Sequence, residues 1–165
     1  MNRRIFIVAL GAALASPGAM CGESVYLESI QCVGGRYGLV LPNDLRRLKS
    51  LSKLLRESVS EVEQWDGYTA TRKTLFFDGL ELGIAEFSND PARVMVTHAE
   101  VSKPSWNRLS PFKLGRPAAE AQALIGESAK GDDELKNSYG SDSDTVDFQA
   151  VSGVVIRVSY SCYSG

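Results

Sequence analysis

This 165-residue chain has one histidine, three cysteines and six prolines. A single histidine excludes His-rich metal centres and leaves any Ser/His or Cys/His chemistry dependent on His98 alone. No apolar run approaches the roughly 20 residues that a membrane-spanning helix needs; the longest, Ile5 to Ala15, has 11. Concentrated positive charge is also missing. Beyond residue 21 the only basic cluster is Arg46, Arg47 and Lys49, which reads as the solvated face of a helix, so no nucleic-acid partner is expected.

What is present begins with an address. Arg3 and Arg4 precede the apolar run, and Ser16 to Cys21 follows it with small residues and a proline, which is the pattern of a secretory signal peptide over residues 1–21. The small residues of Ala13-Leu14-Ala15 and of Ala19-Met20-Cys21 allow cleavage after Ala15 or after Cys21. Lipidation of Cys21 is the rival: Gly22 suits it, whereas Gly18 and Met20 stand where a lipoprotein signal carries a branched apolar residue and a small one. The expected location is periplasmic or cell envelope, with membrane attachment only if Cys21 is lipidated. Without Arg3 and Arg4 the 18 basic and 20 acidic residues become 16 against 20, a net charge near −4.

Residues 22–165 suffice for one domain with a real core. Cys32 and Cys162 stand near its two ends, and an even pair in an exported protein reads as a disulfide; free thiols or a reactive cysteine are the alternatives. Val25 to Val33 and Tyr37 to Leu41 read as short strands. Leu45, Leu48, Leu51, Leu55, Val59 and Val62 then recur every three or four residues between charged positions, predicting an amphipathic helix that starts at Asn43 or Asp44 and ends at Trp65-Asp66-Gly67. Thr69 to Phe77 and Leu80 to Ala85 read as a hairpin around Asp78-Gly79, with Arg93 to Val101 as a third strand.

Ser102 to Leu114 is irregular. Pro117 to Gly126 predicts a second, shorter helix, followed by strands at Leu135 to Tyr139, Thr145 to Val151 and Val154 to Tyr163, the last two joined by Ser152-Gly153. Helix, strand, strand, strand thus occurs twice, over 43–101 and 112–163. The predicted fold class is α+β: two such units forming an antiparallel sheet backed by helices. Alternation in the last strand points Val154, Ile156, Val158, Tyr160 and Cys162 inward and Val155, Arg157, Ser159, Ser161 and Tyr163 outward. Val146 and Phe148 of the neighbouring strand point inward, and Thr145, Asp147 and Gln149 outward.

The segments Phe112 to Gly126 and Val146 to Tyr160 resemble the repeat of the beta-lactamase inhibitor protein fold, shared by the small lipoprotein of the outer-membrane assembly complex. Gly115, Leu124 to Gly126, Phe148, Gly153 and Val154 to Tyr160 carry the resemblance; the first half, with its longer predicted helix, departs from it. The resemblance implies a binding module that holds a protein partner on an open sheet face.

No catalytic, cofactor or metal signature stands out, so the chain reads as a non-enzyme. His98 has no flanking nucleophile motif. Asp142, Asp144 and Asp147 lack the Gly and Glu placement of a calcium-binding EF loop, and neither Glu81 with Glu86 nor Asp132 to Glu134 is brought by sequence to a glycosidase separation. Aromatic residues at predicted loops and strand ends, Trp65, Tyr68, Trp106, Tyr139 and Tyr163, are suited to contact surfaces. The partner-binding residues are therefore read as Trp106, Tyr139, Asp147, Gln149, Arg157, Ser159 and Tyr163. The expected function is an exported protein-binding module, an inhibitor or immunity protein for a toxic enzyme; the alternative is an envelope assembly lipoprotein anchored through Cys21.

Overall fold

The computed structural model describes residues 25–28, 30–126 and 138–162; the signal segment, Cys21 and Tyr163 lie outside them. The elements are β1 (Val25–Tyr26), α1 (Leu45–Lys49), β2 (Arg56–Trp65), β3 (Tyr68–Phe77), β4 (Leu80–Phe87), β5 (Asp90–Val101), α2 (Ala118–Ile125), β6 (Ser138–Gly140), β7 (Thr145–Val151) and β8 (Val154–Ser161). The strands form one sheet in the order β1-β6-β7-β8-β5-β4-β3-β2. Every pairing is antiparallel except β1 with β6, so the sheet is mixed.

This overturns the α+β expectation. The fold is mainly β, and the two short helices among the described residues do not form a layer behind an antiparallel sheet. The difference originates between residues 43 and 65. Asp44 caps α1 by accepting a hydrogen bond from the Arg47 N–H at 3.0 Å, but the helix stops at Lys49. Residues 50–55 are irregular, and the rest of the predicted helix is β2, paired with β3 through the two-residue Asp66-Gly67 turn. Gly67 has φ 84°, the left-handed conformation that such hairpin turns require and glycine supplies without strain.

The helical spacing has a specific cause. A bulge between Val59 and Glu61 inserts one residue into the β2 ladder, and a bulge resets the side-to-side alternation of a strand. Val59 pairs with Lys73 and Val62 with Thr71, two residues of β3 on one face, so Val59 and Val62 point the same way although three apart. Opposite charges then reward strand over helix: Lys73 Nζ meets Glu57 at 3.2 Å and Glu86 at 2.6 Å, and Arg72 Nε meets Glu63 at 3.1 Å, cross-strand pairs of the kind that stabilise sheets.

One face of the sheet carries the core. Leu75, Leu82, Ala99, Tyr160, Val146 and Tyr139 lie in a continuous row across six strands, all buried. Loops cover that row more than helices do: Tyr37, Leu39, Trp106, Leu109, Phe112 and Leu114 belong to the cluster together with Leu48 of α1 and Ala121 and Ile125 of α2. Phe112 stacks on Tyr37 and meets Phe148 edge-on at 4.7 Å, a geometry that adds to plain burial. Tyr160 donates its hydroxyl to the Tyr37 carbonyl at 3.0 Å. Burial raises the Tyr160 phenol well above its ordinary value, opposed in part by a hydrogen bond with Ser110.

Cys32 and Cys162 form a disulfide, Cα atoms 5.5 Å apart and 130 residues apart in sequence. Cys32 lies in the loop after β1 and not on a strand, so the bridge clasps a loop to the end of the last strand. The Cys32 N–H donates to Asp144 Oδ2 at 2.9 Å, fastening the same loop to the turn before β7.

Candidate functional site

The opposite sheet face has no buried aromatic or aliphatic row. Strand register lays Ser138, Asp147, Ser159, Glu100, Glu81, Phe76 and Arg56 across it from β6 to β2. A second row holds Thr145, Ser161, His98, Gly83, Thr74 and Ser58. Gln149 pairs with Arg157 alongside. Apart from Gly83, these side chains are exposed or half-buried, as expected of an antiparallel sheet with one wet face.

Local chemistry fixes several of these groups. Arg157 Nε lies 3.5 Å from Glu100 Oε1, and His98 Nε2 lies 3.5 Å from Glu81 Oε1. Arg56 stacks over the Phe76 ring at 3.8 Å, a cation–π contact. His98 passes over Gly83: a Cβ there would come within 2.9 Å of Thr97 Oγ1 and 3.3 Å of the imidazole. The glycine therefore allows the ring to lie close to the sheet. Three carboxylates, Asp147, Glu100 and Glu81, share one row with Arg157 beside them, so the middle of the face is acidic with a basic flank.

The structure brings together four of the seven residues read as partner-binding: Asp147, Gln149, Arg157 and Ser159 form a two-by-two block on β7 and β8. Two others are displaced from it. Trp106 is 4 % exposed and donates its indole N–H to the Asp78 carbonyl at 2.8 Å, with its ring edge-on to Phe77. Tyr139 is 2 % exposed and packs on Phe148. Each is an apolar ring whose loop or strand end is folded over the core, and neither can meet a partner without unfolding. Tyr163 lies outside the described residues.

The last strand needs a further correction. A bulge between Gln149 and Ala150 in the β7–β8 ladder places Val155 opposite Ala150 and Arg157 opposite Gln149. Val155 therefore points inward, at 1 % exposure, and Ile156 outward, at 41 %; strict alternation predicts the reverse. Past the bulge, Val158 and Tyr160 are inward as expected.

Other candidate chemistry is dispersed. Glu81 and Glu86 point to opposite faces, one towards His98 and the other towards Lys73. No hydrogen bond joins His98 to its cross-strand neighbour Ser161. Asp144 is engaged by the Cys32 N–H, and among the described residues no group of carboxylates, histidines and cysteines could hold a metal. The sequence reading left out Glu100, the neighbour of Arg157, and Glu81, the cross-strand partner of Glu100, although polar residues alternating with Leu80, Leu82 and Ile84 mark the latter.

Titration shifts lie on the covered face and on β2. Glu57 is held below its ordinary value, first by the Lys49 ammonium at 2.7 Å and then by Lys73. Lys73 is raised, chiefly by Glu86. Glu63 is lowered by the Trp65 indole N–H and by Arg72.

No protein family, curated protein or solved structure matches this chain.

Proposed function

We propose that this is an exported protein-binding module that holds a protein partner on the open face of β5, β8 and β7, acting as an inhibitor or immunity protein. The observation that carries the reading is the block of Asp147, Gln149, Arg157 and Ser159, continuous with Glu100 and Glu81 on a face with no covering layer among the described residues. A sheet face of interleaved acidic, basic, amide and hydroxyl side chains suits protein recognition. Its carboxylate row favours a partner that presents Lys or Arg, and complementary charge of this kind accelerates encounter and selects partners.

Export is part of the proposal. The Cys32–Cys162 disulfide is compatible with an oxidising compartment, and the resemblance of the second half to an inhibitor fold points to the same use of the sheet.

A photo-reactive amino acid at Gln149, with the same group at exposed Val40 of the opposite side as control, tests the reading in cells. Adducts to one protein from position 149 alone, lost with Arg157→Glu, support it. Equal adducts from both positions, or none from 149, reject this face.

A further inference from the structure

We infer that the edge of β2, which no other strand pairs among the described residues, pairs with β2 of a second copy of this chain, joining two sheets into one. The strand ends the sheet and has ten residues, long for an edge, and long edges invite strand addition. It is also where exposed apolar side chains gather. Val59, Val62 and Trp65, with Leu55 just before the strand, are each more than half exposed, four of the nine large apolar residues exposed among those described.

The occupant follows from self-complementarity. Because of the bulge at Ser60, Val59 and Val62 face one side, while Arg56, Ser58, Glu61, Glu63 and Trp65 face the other. The facing pattern therefore reads the same in both directions from the bulge. Antiparallel pairs must point the same way, and a two-fold contact matches a surface to itself. One register satisfies both conditions along the whole strand: Val59 opposite the partner's Val62, and Arg56 opposite the partner's Trp65. A register with Val59 opposite the partner's Val59 puts Arg56 opposite the partner's Val62, on the wrong face.

Charge agrees with the same register. Glu57 falls opposite the partner's Gln64 and Glu63 opposite the partner's Ser58, so no two carboxylates are directly opposed. Within each copy Lys49 and Lys73 already pair with Glu57, and Arg72 lies between Glu61 and Glu63 at 3.5 and 3.1 Å. The charges that usually guard an edge are thus turned to partners inside the protein. Arg56, stacked on Phe76, meets the partner's indole ring.

Sedimentation equilibrium of the purified, disulfide-bonded protein tests the proposal. A monomer–dimer equilibrium is expected. Val59→Lys should weaken it about tenfold, since it spoils two cross-strand pairs, and the double variant Val59→Lys with Val62→Glu should restore it, because each new ammonium then opposes a new carboxylate. Both positions are over half exposed, so circular dichroism should show the fold intact in each variant. A protein that is monomeric at every attainable concentration overturns the proposal. So does a dimer indifferent to Val59→Lys, and so does a double variant no better than the single.

Discussion

Tyr160, on the last strand, donates its hydroxyl to the carbonyl of Tyr37, 123 residues earlier, at 3.0 Å within the core. This contact ties the covering loop to the middle of the sheet, at the point where Val146 and Ala99 flank Tyr160 on either side. Tyr160→Phe removes the donor and keeps the ring. We expect a loss of about 1–2 kcal/mol in urea unfolding, the usual cost of deleting a buried hydrogen bond. A variant as stable as the parent would show that the loop is held by packing alone.

The disulfide should contribute on a larger scale. It closes a loop of 130 residues, and chain entropy gives a ceiling of roughly 5 kcal/mol for loops of that order. Cys162→Ser is expected to cost about 2–5 kcal/mol, measured as a shift in denaturant midpoint against the parent under oxidising conditions. Adding reductant to the parent should reproduce most of that shift.

Stability should fall at both ends of the pH scale, for reasons that can be separated. Glu57 is lowered from 4.5, so its contribution is present above that value and is lost as pH drops towards the folded-state pKa. Lys73 is raised from 10.5 and Tyr160 from 10.0; their contributions are complete below those values and are lost as pH rises beyond them. Glu57→Gln should flatten the acid limb of a thermal-unfolding series and, because Glu57 helps Glu86 to raise Lys73, reduce the Lys73 part of the alkaline limb as well. Tyr160→Phe should flatten the alkaline limb and leave the acid limb unchanged. If Glu57→Gln leaves the acid limb as steep as before, the Lys49 and Lys73 pairs do not couple to folding.

The two Asp-Gly turns should respond differently to the same substitution. Gly67 and Gly79 both have φ above 80°, and an L-residue in that conformation costs roughly 1–2 kcal/mol. A Cβ on Gly67 meets nothing within 4 Å, whereas one on Gly79 runs into the Lys103 side chain. Gly67→Ala is therefore expected to cost about 1 kcal/mol, and Gly79→Ala more, because Lys103 must also leave its pairing with Asp78. Equal losses in calorimetry would mean that Lys103 moves aside freely.

Much of the architecture can be read along the chain. Asp78-Gly79 joins β3 to β4, Ser152-Gly153 joins β7 to β8, and Ala118–Ile125 is a helix after Pro117. These are local signals: a turn needs its glycine, a helix its start, and neither depends on distant residues. The Cys32–Cys162 pairing follows from there being two candidates once Cys21 is set aside. The block of Asp147, Gln149, Arg157 and Ser159 is legible too, because in that stretch β7 alternates without interruption.

Tertiary structure decided the rest, through bulges and burial. A bulge adds one residue and turns period two into period three, so Val59 and Val62 imitate a helix in sequence while lying on one face of a strand; only pairing with β3 distinguishes the two. The same device exchanges Val155 and Ile156 on β8. Trp106 and Tyr139 show the other limit. An aromatic residue at a loop or strand end suits a partner and a core equally well, and the long-range contacts with Phe77 and Phe148 put both inside. Sequence thus determined the turns, the second helix and the clasp. Which side chains remain on the surface was decided by how the strands came into register.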